Sequence, residues 1–223
     1  MPLSQRLVPL MLGIALVMLG VAPWVIDSAP YESSMGLIQR IFYFHLPAAM
    51  TMLFAAIVCG LASLTYLWKR SPGADRLAFA SAELTVVVGA IVMTTGPLWA
   101  RKAWGIWWDW DPRLTSTFVM WMVFVAYLLL RRFGGAGSEI LAAAVGFFGM
   151  VLVPFIYWSV NFWRTLHPKT SVLPTLPPLM MRPALWCLAA FFLFYAAVVL
   201  LRMRLEALKT DVDDAVLALE DEA

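Results

Sequence analysis

Six long apolar stretches limit the fold of this chain more than any other feature of its sequence. They run approximately over residues 7–26, 41–68, 77–98, 114–130, 140–159 and 183–201. A helix needs about 20 such residues to cross the hydrocarbon core of a bilayer. Because the backbone there must satisfy its own hydrogen bonds, helices are the expected form of each stretch. The sequence therefore predicts an all-α integral membrane protein with six transmembrane helices.

The composition is that of a protein surrounded mainly by membrane lipid. Hydrophobic residues make up 62% of the 223 residues and charged residues 13%, whereas soluble domains average roughly 45–50% apolar and about 25% charged residues. The formal net charge is only +2, and no basic stripe stands out. A nucleic-acid partner is therefore not expected.

The chain divides into a six-helix domain over residues 1–205 and an acidic tail over residues 206–223. Arg6 precedes an apolar run, as in a signal peptide, but the run is long and no small-residue cleavage site follows. We therefore expect a retained first helix. In the tail, Val212, Val216 and Leu219 have helical spacing. The tail is therefore either a surface helix or a solvated segment.

The short turns after the second and fourth stretches predict the orientation. They contain Lys69-Arg70 and Arg131-Arg132, and cytoplasmic loops of membrane proteins are enriched in lysine and arginine. With six spans, both termini then lie in the cytoplasm. The longer connections over residues 27–40, 99–113 and 160–182 lie outside, and long connections in compact domains are often functional.

Tryptophans are concentrated in one of these outer connections. Five of the eleven lie between residues 99 and 110, partly in the segment WGIWWDWDPRLT. An aromatic belt at the membrane surface normally has fewer. Trp104, Trp107 and Trp108 would share one face of a short interfacial helix and form a flat apolar shelf. Asp111 followed by Pro112 predicts the N-cap and first position of the fourth helix.

The only two histidines, His45 in RIFYFHLP and His167 in NFWRTLHP, are predicted on the same side as the tryptophans. A single histidine at a membrane edge is usually structural. Two imidazoles from separate elements, however, can bind a metal from opposite sides, as they bind the iron in some heme proteins. Arg40 and Arg113 lie near the same side and would pair with the carboxylates of such a ligand. Each arginine is alternatively an interfacial cation.

Three other residues, Cys59, Cys187 and Glu83, are of types that can carry chemistry. Cys59 and Cys187 belong to no CxxC or CxxCH motif, and the predicted helices place them at different depths, so buried free thiols are expected. Glu83 lies within the third stretch, where a carboxylate is by default a functional candidate. It lies near the inner boundary, and the sequence assigns it no role.

The segments RIFYFHLP, WGIWWDWDPRLT and NFWRTLHP together resemble the WWD signature of heme-handling proteins in cytochrome c maturation. The chain length, the six spans and one histidine on each side of the signature are similar to the heme exporter protein C (CcmC) family. That resemblance implies heme binding at the periplasmic face of a bacterial inner membrane. It also implies handover to the heme chaperone CcmE, together with the ABC transporter subunits CcmA and CcmB and the small membrane protein CcmD.

The resemblance also implies roles for individual residues. His45 and His167 would be the axial ligands of a heme b iron. The heme platform and chaperone contact would be formed by Trp104, Trp107, Trp108, Trp110, Asp109 and Asp111. The acidic tail is longer than the family pattern suggests. No G-x-x-x-x-G-K-[ST] phosphate loop occurs, so a non-enzymatic component is expected, and ATP-driven release would come from a partner.

Two other functions remain open from the residues alone. A membrane redox protein would use a heme between two histidines to pass electrons to a quinone, but such proteins usually place histidines at more than one depth. A channel or permease would be expected to have interrupted helices around a charged site at the midplane.

Overall fold

The computed structural model describes residues 3–168 and 173–221. Within these ranges the chain forms six α-helices, each long and apolar enough to cross a membrane. They are α1 (Leu3–Asp27), α2 (Phe42–Lys69), α3 (Pro72–Trp104), α4 (Pro112–Phe133), α5 (Ser138–Phe162) and α6 (Pro178–Asp221). Short 3-10 helices precede α2 and α6. The predicted all-α class and the number of spans are therefore confirmed.

Parts of three predicted segments lie outside the described residues. These are residues 1–2 at the start of the six-helix domain, 169–172 in the connection before α6 and 222–223 at the end of the tail.

Most of the helices extend beyond the predicted spans because capping residues define their ends. Ser71 begins α3, where its Oγ accepts a hydrogen bond from the Ala74 backbone N–H at 3.4 Å. Gly105 ends α3 in a left-handed conformation with φ 79°, which glycine adopts without steric penalty. Asp111 caps α4, and Pro112 follows at the first helical position, as the sequence predicts.

Helix α2 forms the centre of the bundle, where it packs against α3, α5 and α6, while α1 packs mainly against α6. Glycines allow the close approach of α2 and α4 to α5. A Cβ added at Gly146 would lie 2.7 Å from Ser63 Oγ, and one at Gly149 would lie 2.7 Å from Phe124 Cε2. Small residues are a common means of close helix packing in membranes.

The end of the bundle at which α2 ends and α3 begins is held by two ion pairs. Arg131 on α4 donates to both carboxylate oxygens of Asp75, at 2.9 and 2.8 Å. Arg202 on α6 donates to Glu83 at 2.6 and 2.8 Å. The guanidinium groups of both arginines lie over the Phe79 ring. Glu83 therefore has a structural partner that connects α3 with α6.

Helix α6 continues without a break past the predicted domain boundary at residue 205. Residues 208–221 are all exposed and helical, so most of the acidic tail is an exposed extension of α6. Both Cys59 and Cys187 are buried and unpaired, which confirms the expectation of free thiols.

Candidate functional site: a two-histidine cavity lined by tryptophan

A cavity opens at the other end of the bundle, where α2 begins and α3 ends. It contains about 690 Å³ of space between atoms, and this figure includes space that is open to the surroundings. Its side chains come from α2, α3, α4 and α5 and from two connections. The lining residues are His45, Ala49, Met52, Leu53, Val92, Met93, Gly96, Pro97, Trp99, Ala100, Trp104, Trp108, Arg113, Leu114, Thr117, Ile156 and His167.

His45 lies in the first turn of α2 and contacts α3. Its Nδ1 is hydrogen-bonded to Thr95 Oγ1 at 2.8 Å. Its ring packs edge-on against Trp99, with the ring centroids 6.1 Å apart. Only 8% of the residue is exposed. The imidazole is thus held on two sides at the cavity wall.

His167 reaches the same cavity from the connection after α5. Its Nδ1 donates to the carbonyl oxygen of Pro168 at 2.9 Å, and because a carbonyl only accepts, Nδ1 carries a proton. Burial and the nearby Arg113 guanidinium lower the pKa of His167 to about 4, although Pro168 and Asp111 act in the opposite direction. The ring is therefore neutral at pH 7, which is the form that binds a metal.

Asp111 connects the tryptophan segment with the turn that contains His167. Its Oδ1 accepts the Leu114 N–H at 2.8 Å and so caps α4. Its Oδ2 accepts a short hydrogen bond from Thr165 Oγ1, which in turn accepts the backbone N–H of His167 at 3.0 Å. Asp111 is 6% exposed and positions the His167 turn as well as the helix.

Three indoles form the aromatic part of the cavity wall. Trp99 and Trp104 lie in the last turns of α3, with ring centroids 6.2 Å apart and planes inclined by 26°. Trp108 lies in the irregular segment that follows. The predicted short helix over Trp104–Trp108 is wrong, because Gly105 ends α3 and residues 105–111 form no helix. The aromatic wall is nevertheless present, with Trp99 in the place predicted for Trp107.

Three residues between α3 and α4 do not line the cavity: Trp107, Asp109 and Trp110. Trp107 and Trp110 are 57% and 73% exposed, and Asp109 is also exposed. The guanidinium of Arg101 lies 5.9 Å from the Trp107 ring centroid. These side chains form an exposed aromatic surface beside the cavity.

The two predicted arginines have different positions. Arg113 lines the cavity, and its Nη1 donates to the Ile156 and Tyr157 carbonyls at 3.2 and 3.4 Å. Arg40 instead forms an ion pair with Asp27, at 2.7 Å between Nη1 and Oδ1. Arg40 is not among the residues that line the cavity, so the structure does not bring it to the site.

The cavity fits a flat, mostly apolar ligand with a metal at its centre and an acidic edge. The indoles offer flat apolar surface, Arg113 offers a cation, and two imidazoles suffice for an iron already held by a macrocycle. Trp99 Nε1 and Trp108 Nε1 are buried without a hydrogen-bond partner among the described residues. Such unpaired donors are uncommon, and acceptors on a ligand would satisfy them. The residues present therefore fit heme.

The six apolar helices and this cavity define a multi-pass helical membrane protein with a tryptophan-lined, two-histidine site. The family model for heme exporter protein C, CcmC, matches residues 1–218. The chain therefore belongs to the heme exporter protein C family.

Individual relatives agree with this assignment. Heme exporter protein C of Bradyrhizobium diazoefficiens is 31% identical over 216 residues, which cover 94% of this chain and 82% of that protein. Its counterpart in Escherichia coli is 33% identical over 189 residues, covering 81% and 75%. That of Haemophilus influenzae is 30% identical over 217 residues, covering 92% and 87%.

Sequence reasoning did not assign a role to three residues that the structure places at the site. Trp99 belongs to the cluster of five tryptophans over residues 99–110, and that membership was a usable signal. Thr95 and Thr165 contact His45 and His167, but an isolated threonine has no pattern from which such a contact can be predicted.

Proposed function

We propose that the protein binds heme in this cavity and passes it to the heme chaperone CcmE during cytochrome c maturation. Membership of the heme exporter protein C family supports heme handling in that process. One observation carries the proposal for the site. His45 and His167, the only histidines of the chain, come from elements far apart in sequence and line one cavity.

In this proposal His45 and His167 are the axial ligands of a heme b. The bound heme would supply two things: an iron that binds two imidazole nitrogens, and an exposed vinyl edge for the chaperone. Trp99, Trp104 and Trp108 hold the macrocycle by stacking and exclude water from it. Arg113 pairs with one of its carboxylates.

The exposed surface formed by Trp107, Asp109 and Trp110 is the proposed contact for CcmE. Exposed aromatic side chains are enriched among the residues that dominate binding at protein interfaces. The ABC transporter subunits CcmA and CcmB and the small protein CcmD complete the proposed assembly. In that assembly any ATP-driven release of heme from the two-histidine site depends on ATP hydrolysis by a partner.

The proposed location is a bacterial inner membrane, with the cavity at the periplasmic face and both termini in the cytoplasm. Lys69, Arg70, Arg131 and Arg132 lie at the end of the bundle away from the cavity. Their position supports this orientation, because lysine and arginine accumulate on the cytoplasmic side.

An absorption spectrum of the purified protein tests the proposed site. We expect a low-spin heme spectrum, and we expect His45→Ala and His167→Ala each to weaken heme retention and to change the spectrum. Trp68→Ala is a control, because Trp68 is 82% exposed at the other end of the bundle. Full heme and an unchanged spectrum in both histidine variants would contradict the proposal.

A handover assay separates this function from a membrane redox protein. The holoprotein is mixed with purified apo-CcmE, and the heme content of each is measured after separation. Movement of heme to the chaperone supports handover. Retention of heme by the holoprotein, together with oxidation of its chemically reduced heme by an added quinone, would instead support electron transfer.

A further inference from the structure

The strongest additional observation concerns the residue that holds His45. We propose that Thr95 is a positioning residue, which fixes the His45 imidazole with Nε2 as the free ligand nitrogen. This inference rests on the proposed heme-binding function of the cavity. It adds to the site a residue of α3 that does not itself line the cavity.

The hydrogen bonds of the Thr95 hydroxyl determine which nitrogen of His45 is protonated. Thr95 Oγ1 lies 2.7 Å from the Ile91 carbonyl oxygen on the same helix, and a carbonyl can only accept. The single hydroxyl proton of Thr95 is therefore donated to Ile91. At the His45 contact of 2.8 Å, Oγ1 must then be the acceptor. Nδ1 of His45 consequently carries the proton, and Nε2 has the free electron pair that binds a metal.

Packing limits the ring to the orientation that this hydrogen bond requires. His45 lies against the surface of α3, where a Cβ added at Gly96 would be 3.4 Å from its Cε1. The ring also makes an edge-on contact with Trp99 on the same helix. The hydrogen bond to Thr95 thus selects the tautomer of a ring whose position is already restricted by α3.

The two histidines are held by different kinds of acceptor. His167 donates to a backbone carbonyl, which no side-chain substitution removes. His45 depends on a side-chain hydroxyl. A hydrogen bond to the second nitrogen of a ligating histidine orients the ring and makes it a stronger donor to the metal. Removal of the Thr95 hydroxyl therefore weakens the His45 bond to iron and leaves that of His167 unchanged.

Three variants of the full-length protein test the proposal, and a fourth is held in reserve. Thr95→Val removes the hydroxyl and keeps the shape of the side chain, whereas Thr95→Ser keeps the hydroxyl. Thr94→Val is the matched control, because the Thr94 hydroxyl also donates to a carbonyl one turn earlier, that of Ala90, at 2.8 Å, but faces outward. Thr95→Ala repeats the test with a smaller side chain, should Thr95→Val fail to accumulate.

Two properties of the heme-loaded protein are measured: heme dissociation into excess apomyoglobin and the midpoint reduction potential. For Thr95→Val we expect dissociation to be roughly 10–100-fold faster, the usual range for loss of such a partner. The potential should rise, because a weaker imidazole donor stabilises ferric iron less. Thr95→Ser should restore both values, and Thr94→Val should match the unsubstituted protein.

The result that overturns the proposal is a Thr95→Val protein, or its Thr95→Ala replacement, with unchanged dissociation and unchanged potential. If His45→Ala still loses the low-spin spectrum in the same experiment, only the role of Thr95 is refuted. If His45→Ala also keeps its heme and spectrum, the proposed ligation by His45 fails, and the role of Thr95 fails with it.

Discussion

At the scale of single residues, Arg113 and Arg40 show that the surroundings of an arginine decide whether it can bind a ligand. Both are arginines close to the same end of the bundle, and the sequence predicts both as partners for an acidic ligand. Arg113 lines the cavity, and its contacts with α5 use only one of its three nitrogens. Arg40 is already neutralised by Asp27. Only Arg113 is therefore available to a carboxylate inside the cavity.

We predict that Arg113→Ala reduces heme affinity and that Arg40→Ala does not. A hydrogen bond to a charged group is worth about 1.5–3 kcal/mol, so its loss corresponds to roughly 10–100-fold weaker binding. The measurement is heme titration of the purified apoprotein, followed by absorption. Equal losses in the two variants would mean that the ligand reaches Arg40 and that the Asp27 ion pair does not persist.

At the scale of helices, the contact between α2 and α5 depends on a glycine. A Cβ added at Gly60 would overlap with the Met150 Cβ and would lie 2.7 Å from its Sδ. The overlap is with the base of the methionine side chain as well as its flexible end. Movement of the methionine alone therefore cannot remove it, and the two helices must separate.

We predict that Gly60→Ala destabilises the protein by about 1–3 kcal/mol, the usual effect of overpacking. Gly20→Ala in α1 is the control, because a Cβ there would meet no atom of the described residues within 4 Å. The gain in helix propensity from glycine to alanine is common to both variants. Thermal unfolding in detergent micelles measures the difference. Equal melting temperatures would show that α2 and α5 tolerate a larger separation.

The tryptophan segment shows where a periodic pattern misleads. Trp104, Trp107 and Trp108 have helical spacing, but a spacing of three residues proves nothing unless the backbone continues as a helix. Gly105 ends α3 and Asp111 begins α4, so the segment between them is too short for a helix with its own caps. The segment is instead irregular, and its tryptophans are divided between the cavity and the surface.

At the scale of the whole molecule, the two ends of the bundle have different chemistry. The cavity end contains both histidines and the tryptophan cluster. The opposite end contains the Arg131–Asp75 and Arg202–Glu83 ion pairs. The latter pairs connect α3 with α4 and α6 at a distance from the cavity. Glu83 therefore takes part in helix packing at the end of the bundle away from the cavity.

This polarity leads to a prediction for labelling in intact cells. In a background with Cys59→Ala and Cys187→Ala, Trp110→Cys and Leu166→Cys should react with a membrane-impermeant maleimide from outside the inner membrane. Phe133→Cys should react only after the membrane is opened. All three positions are exposed, by 73%, 44% and 75%, so the side of the membrane should decide reactivity. Labelling of position 133 from outside would reverse the proposed orientation.

The sequence by itself determined the class of the protein, the six helices and the two histidines and the tryptophan cluster as candidates for the site. Those properties depend on local hydrophobicity, on caps such as Asp111 and on the scarcity of histidine, all of which are readable along the chain. The tertiary structure alone decided that Arg113 and Trp99 line the cavity, that Arg40 pairs with Asp27 and that Thr95 holds His45. These contacts join residues on different helices, and their distances depend on how the helices pack, which no local pattern encodes.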